Sequence, residues 1–440
     1  MKKKILLIQP TPYDTNRNLI KRNRLYFVGL SLPLLAALTP EDWEVEIILE
    51  TIEDIPFDTD AEIIGIGSMG HGVIRSLDVA KEFKARGKTV VLGGYMVSLM
   101  PQEASKYCDS VVIGDAEGVW QELLDDWERG SLKPFYKQEV INLSNLPVPR
   151  YDLLINKKIG DFLPVQAGRG CPHSCSFCSV HCLYRGRYLK REISQVIEDI
   201  KHIKSLGFRK ILLLDDNIAS DGEYMLNLCS ELKKFKVQWM SQCSITVAKN
   251  DILLKAIKDS GCIALSFGIE SISQDSLNEV NKGWAKASEY PQLIRKIREA
   301  GIEVSTEMIV GTDADTRQTI MDTAQFIEDN KIVVPRFYIL TPIPGTDLYH
   351  KLNSEGKIWN KDIYSYNGSE AVHVPAQMSP QELTNAYWEL YERVFSFSSI
   401  FKRTILNTNI LQKPLQHLFY FAINLVYRQD IKKRTPPNII

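Results

Sequence analysis

The chain has 440 residues, 44% hydrophobic and 24% charged, with a net charge of -1, which is ordinary material for two or three globular domains. So even a charge balance argues against a nucleic-acid groove as the main surface, and with no run of about 18 apolar residues no transmembrane segment is predicted. Eight cysteines, five of them scattered singly, do not make a disulfide framework in a chain this long and predict a reducing, cytoplasmic address.

The opening "MKKKILLIQP" imitates a signal peptide, but its apolar run is four residues long and ends at Gln9 and Pro10, so it reads as a first strand. "EVEIILE", "AEIIGIGS", "KTVVLGG" and "SVVIGD" follow as short β-branched strands, separated by amphipathic stretches such as "VIRSLDVAKEFKARG" and "GVWQELLDDWERG". This alternation over residues 1–145 predicts an α/β domain with a doubly wound, Rossmann-like parallel sheet. Three strands end in small residues: Gly67, Ser68 and Met69 in "GIGSMG", Gly93 and Gly94 in "GGYM", and Gly114 in "GDAEG", which also holds Glu117. Carboxyl ends of such strands line the ligand crevice, and glycine lets a flat cofactor approach the backbone. Any one of them is explained by a tight turn; three at successive strand ends point to a nucleotide- or corrinoid-sized ligand. Neither GxGxxG at a first helix nor GxxxxGK[ST] is present, so NAD and ATP fit poorly.

Residues 146–160 have two prolines and no clear period, and read as a linker. Over 161–345 the strands "FLPVQAGRG", "KILLLDDN", "QWMSQCSIT", "CIALSFGIES", "EVSTEMIVGTD" and "VPRFYILTPIPGT" alternate with helices, which predicts a partial (β/α)6 barrel, two units short of eight. The first of these strands leads into "GRGCPHSCSFCS", which spaces Cys171, Cys175 and Cys178 as CxxxCxxC. Thiols this close predict a metal: zinc, with His173, His181 or Cys182 as a fourth ligand, or an iron–sulfur cluster. A cube held by three cysteines leaves one iron open to a substrate or cofactor. The tail, 346–440, is aromatic-rich and helical in period, as in "PLQHLFYFAINLVYR". It is expected to pack over the barrel mouth; a membrane-surface helix and a pocket lining are the other two readings.

Together with "LLLDDN", "FGIES", "NKGW" and "LTPIPGTDLY", the cysteine motif after the first barrel strand resembles the radical S-adenosylmethionine (SAM) enzymes. The whole chain resembles the class that joins an N-terminal cobalamin (B12)-binding domain to a radical SAM barrel. "MSPQELTNAYWELYERVFS" and "FYFAINLVYR" are similar to a subgroup with a helical tail domain that includes hopanoid C-2 methylases. The resemblance implies a [4Fe-4S] cluster on Cys171, Cys175 and Cys178, with SAM chelating the open iron. It also implies that Phe177 lies beside the adenine, that Glu270 and Ser271 meet the ribose, and that Gly311 allows close approach to adenine or methionine. Asp215, Asp216 and Asn217 stand where the superfamily usually has Gly-Gly-Glu at the SAM amino group, while Pro342 and Pro344 would shape the sixth-strand edge. Cobalamin would lie against Gly67, Ser68, Met69, Gly93, Gly94, Gly114 and Glu117. The base-off histidine motif after the first strand is absent, and His71 either approaches the corrin or faces solvent.

The implied activity is C-methylation of an unactivated carbon in a small-molecule or lipid-like substrate. A 5′-deoxyadenosyl radical would remove hydrogen, methylcobalamin would deliver the methyl group, and a second SAM would regenerate it, with flavodoxin or ferredoxin as electron donor. The alternatives are a radical SAM oxidoreductase, cyclase or rearrangement enzyme without methyl transfer, and a non-catalytic metal-binding sensor module.

Overall fold

The computed structural model describes residues 2–68, 70–138, 142–407 and 414–437; Met69 and the side chain of His71 lie outside the described residues. In chain order the strands are β1 (Lys3–Gln9), β2 (Leu25–Phe27), β3 (Trp43–Leu49), β4 (Ile63–Ser68), β5 (Thr89–Gly94), β6 (Ser110–Ile113), β7 (Phe135–Lys137), β8 (Ile159–Val165), β9 (Gly168–Gly170), β10 (Tyr188–Lys190), β11 (Lys210–Leu213), β12 (Gln238–Gln242), β13 (Cys262–Glu270), β14 (Glu303–Val310) and β15 (Val334–Ile339). By compactness the chain divides into one unit of residues up to Ala167 with Leu189–Leu212, and a second of Gly168–Tyr188 with the residues from Leu213 onward.

The first sheet has the order β3-β1-β4-β5-β6-β7, and every adjacent pair is parallel. Ile5, Leu6, Leu7 and Ile8 of β1 are fully buried, as a strand covered by helices on both faces requires. Chain direction across the sheet reverses between β1 and β4, so the crevice of a doubly wound fold opens at their carboxyl ends. All five strands expected here are present; β7, three residues long, was not among them.

The second sheet has the order β15-β14-β13-β12-β11-β8-β2. Its six barrel strands are the expected ones, joined by helices Ile193–Ser205, Gly222–Phe235, Asp251–Asp259, Tyr290–Glu299 and Arg317–Asp329. The three-residue β2 adds an unforeseen seventh strand parallel to β8. Along β13, β14 and β15 buried and half-buried residues alternate, which sets an apolar face under the helices and turns Ser266, Glu307, Arg336 and Tyr338 to the other face.

The tail meets both the carboxyl end of the barrel and its open sheet edge. Helix Pro380–Val394 opens with a capping box between Ser379 and Glu382 and Pro380 in its first turn, which fixes its start. From the loops at the carboxyl end of the barrel it runs on along the barrel's edge. Leu383 lies against Gly311 just past the carboxyl end of β14, and the Tyr391 hydroxyl bonds both the N–H (2.9 Å) and the carbonyl (3.0 Å) of Phe337 in β15. His417 faces Glu303 at the amino end of β14, 3.6 Å away. The physical reason is the sheet edge. A barrel two units short leaves β15 with unpaired backbone groups, and the tail supplies them with partners. Fully buried Arg403 continues this, donating to the carbonyls of Ile332 (2.7 Å), Val333 (3.3 Å) and Val394 (2.9 Å) and to Asn424.

Candidate active site

The cysteine loop begins at Gly170, whose φ of +88° and whose missing Cβ, 2.1 Å from the Arg187 carbonyl, admit glycine alone. Its N–H donates to Asp216 Oδ2 at 2.7 Å. Cys171 is next, with Asn217 Nδ2 3.7 Å from its sulfur. Cys178 is the N-cap of helix Ser179–Tyr184, and the nearby backbone N–H groups of Val180 and His181 act against the upward push of burial on its thiol. Such donors favour a sulfur that carries negative charge.

"NKGW" clamps this loop. The Val280 carbonyl just before it accepts from the Ser176 N–H at 3.1 Å, and Asn281 donates to the Ser174 carbonyl at 2.8 Å. Trp284 stacks on His173, ring centroids 3.6 Å apart and planes 8° from parallel. His173 reaches Ser244 Oγ at 3.3 Å, and Ser244 is itself held by Asn217. Lys282, 7% exposed, donates to Glu270 at 2.7 Å and to the Gly268 carbonyl at 2.8 Å. Glu270 has a φ of +60° at a register shift between Gly268 and Glu270, and a Cβ on Gly268 would come within 2.4 Å of its carboxylate. Glycine at 268 therefore makes room for the ion pair.

Burial pushes the thiol of Cys175 up to about 11, with the Lys282 ammonium opposing it, and that of Cys178 up to about 12. Burial alone would lower the Lys282 ammonium, but Glu270 and the thiol of Cys175 outweigh it, so Lys282 is raised and cationic. A positive charge beside Cys175 and Cys178 suits an anionic iron–sulfur centre.

The remaining expected residues divide. Asp216 and Asn217 face the loop, whereas Asp215 is fully buried and accepts from the Tyr188 hydroxyl at 2.9 Å. The Ser271 hydroxyl accepts from the Ser273 N–H at 3.1 Å, a local turn. Phe177 packs, half-buried, against Val280, Leu340, Leu348, Leu352 and Ile358. Gly311 has a φ of +105°, but its N–H goes to Asp315, its carbonyl to His373 at 2.7 Å, and a Cβ would meet Leu383 at 2.6 Å. The side a Cβ would occupy is thus taken by the tail. Pro342 is buried and Pro344 half-buried just past β15. Lys282, Trp284 and Ser244 escaped the sequence reading, and His173 entered it only as a fourth zinc ligand; the "NKGW" stretch was noticed as a motif, but nothing local says what it touches. The same is true of Glu307 and Arg336, an ion pair on neighbouring strands to which Ser266 donates at 3.2 Å. Among the described residues no hydrogen-bond partner reaches the buried Arg336 Nε.

In the first unit, Gly67 and Ser68 at the end of β4 are in register with Gly93 and Gly94 of β5. The Ser68 hydroxyl donates to the Gly93 carbonyl at 3.1 Å, and Gly94, φ +114°, would place a Cβ 2.1 Å from the Ser68 carbonyl. Gly114, φ +81°, stands exposed just past β6 with no atom within 4 Å of where a Cβ would be, and Glu117 is half-buried on the same loop. A further cluster lies past β1 and β3: Arg75 holds buried Glu50 at 2.6 Å, Glu50 accepts from the Thr11 N–H, and Tyr13 donates to Asp78. Nothing in its sequence spacing announced it.

Residues 165–327 match the model of the radical SAM superfamily. The chain is 28% identical to the bacteriochlorophyllide d C-12(1)-methyltransferase of Chlorobaculum tepidum, covering 99% of this chain and 95% of that protein. It is 24% identical to the hopanoid C-2 methylase of Rhodopseudomonas palustris, covering 75% of this chain and 65% of the other. The fold is similar to that of the cobalamin-dependent SAM radical enzyme OxsB, solved with aqua-cobalamin and SAM bound, at a TM-score of 0.69 and 14% identity over 97% of this chain and 72% of that one.

Proposed function

We propose that this chain, which carries a radical SAM domain over residues 165–327, is a cobalamin-dependent methyltransferase that methylates carbon in a small molecule. The single observation that carries the reading is the clamped cysteine loop, with Asn217 and the buried Lys282–Glu270 pair beside it. Cys171, Cys175 and Cys178 would hold the cluster; Asn217, Glu270 and the neighbouring Lys282 would orient SAM's polar groups, and half-buried Phe177 would offer it an apolar flank. When bound, these groups would supply the 5′-deoxyadenosyl radical and a corrinoid the methyl group. Gly67, Ser68, Gly93, Gly94, Gly114 and Glu117 would form the floor on which the corrinoid rests. In domain terms this assigns 1–145 to the corrinoid, 146–160 to a linker, 161–345 to the radical SAM barrel and 346–440 to the tail.

The Ser266, Glu307, Arg336 and Tyr338 face supports a substrate that brings an acceptor oxygen to Arg336 as well as an apolar skeleton, since a bare hydrocarbon would leave that buried N–H unmet. Glu307 is in register with Gly268, two residues from Glu270 on β13, about 7 Å along the strand from the proposed SAM contacts. An electron donor of the flavodoxin or ferredoxin kind belongs to the same proposal.

The test uses protein purified anaerobically from cobalamin-supplied cells, assayed for iron, sulfide and corrinoid. It is then incubated with reductant, methyl-labelled SAM and bacteriochlorophyllide d, the class named by the first relative above. Deoxyadenosine together with label in the product is the expected result. Deoxyadenosine with no labelled product and no corrinoid moves the protein to the oxidoreductase or cyclase reading; neither iron nor deoxyadenosine overturns both.

A further inference from the structure

Helix Pro414–Lys432 is amphipathic in the inverse sense. Its buried side carries His417 and Asn424, both fully buried, with Asp430 and Tyr427. Its open side carries Leu415, Leu418, Phe419 and Val426, which are 82%, 53%, 54% and 52% exposed. These four recur at i, i+3, i+4 and i+11, one stripe about 16 Å long. The inward polar groups are matched: His417 Nδ1 donates to the Thr404 carbonyl at 3.0 Å, and Asn424 donates to the Val333 carbonyl at 3.0 Å and accepts from Arg403. A helix whose outer face meets water has the opposite arrangement.

Helix Phe397–Thr404 lies beside it in the antiparallel sense, with Thr404 at His417 and the Phe397 ring 6.0 Å from that of Phe421. It adds Phe397 and Phe401 to the exposed set, and Leu406 follows. Of the twelve large hydrophobic residues exposed among the described residues, seven therefore fall between 397 and 426, a concentration that single scattered exposures do not produce. Charge is equally one-sided. Among 397–407 and 414–434 the one acid, Asp430, is buried, while Lys402, Lys432, Lys433 and Arg434 are exposed. Lys402 and Arg434 are shared with Glu328 and Glu392 of the fold, which leaves Lys432 and Lys433 as the cationic end of the stripe.

We propose that this face docks in the plane of an anionic lipid bilayer, the apolar stripe entering the acyl boundary and Lys432 and Lys433 meeting the headgroups. Among the described residues no helix is long and apolar enough to cross a membrane, so the contact is peripheral. A protein partner is the less favoured occupant because the protruding side chains form a flanked apolar ridge with no polar rim of alternating sign. The inference stands on the tail alone and is independent of the methyltransferase reading.

The experiment is flotation of the full-length protein with vesicles of phosphatidylcholine, pure or mixed with phosphatidylglycerol, at low and high salt. Wild type is expected to float with the mixed vesicles and weakly with the pure ones. Leu418→Glu with Phe419→Glu is expected to lose at least tenfold in bound fraction, and Lys432→Glu with Lys433→Glu to lose its salt dependence. Leu418→Gln, checked by circular dichroism for an unchanged fold, gives an intermediate loss. Failure of wild type to float, equal flotation of the double Glu variant, or equal binding to pure phosphatidylcholine overturns the proposal. So does a dimer in light scattering that Leu418→Glu with Phe419→Glu dissolves, since that assigns the face to a second copy.

Discussion

The cysteine loop and the glycine crevice of the first sheet are built from opposite materials. At the loop, chemistry resides in side chains: three thiols, a buried ammonium, a carboxylate and a stacked ring, each tied to a named partner. At the crevice it resides in the backbone, at positions where side chains are missing so that something can come close. A site made of costly side chains declares what it does, because a Lys282–Glu270 pair buried beside a cysteine loop has little other reason to form. A site made of glycines declares a shape and leaves its occupant open.

The comparison can be broken first at the loop. Replacing Cys171, Cys175 and Cys178 by Ala should bring iron, sulfide and 5′-deoxyadenosine to background; retained SAM cleavage would separate the thiols from the chemistry. Lys282→Met leaves Glu270 buried without its partner and should cost about 3 kcal/mol in denaturant unfolding, while adding Glu270→Gln should recover most of it. In the crevice, Gly94→Ala forces a left-handed residue against the Ser68 carbonyl and should cost about 2 kcal/mol, with corrinoid lost along with stability. Gly114→Ala is the smallest and sharpest change. Open space surrounds the site, so only backbone strain of about 1 kcal/mol is expected; corrinoid loss measured by absorbance well beyond that would mark Gly114 as a ligand contact, and unaltered content would mark it as a turn.

Period and punctuation carried the eleven longer strands and the cysteine motif, since β-branched runs and CxxxCxxC are local signals. β2, β7 and β10 escaped because three residues show no period. Lys282 and Trp284 were legible as letters and illegible as neighbours, because their partners Glu270 and His173 are 12 and over 100 residues away in sequence. Arg336 and Glu307 look like the polar half of any alternating strand until the register sets them side by side. The tail was legible only in part: helical period gives a stripe but not the direction it faces, and in Pro414–Lys432 it is the polar stripe that turns inward.

The Arg403 guanidinium has a consequence for how this architecture can be cut and recombined. Its donors end on the carbonyls of Ile332 and Val333 that lead into β15, while Tyr391 occupies Phe337 on the same edge. The tail thus stands in for the strands an eight-unit barrel would have supplied, by hydroxyl and guanidinium instead of by ladder. Truncation before Arg403 would hand those carbonyls to an apolar surface, and a chimera that exchanges barrels between relatives must carry each barrel's own tail with it. The modular boundary of this protein is set by where hydrogen bonds close, at Arg403, 64 residues beyond the end of the last strand at Ile339.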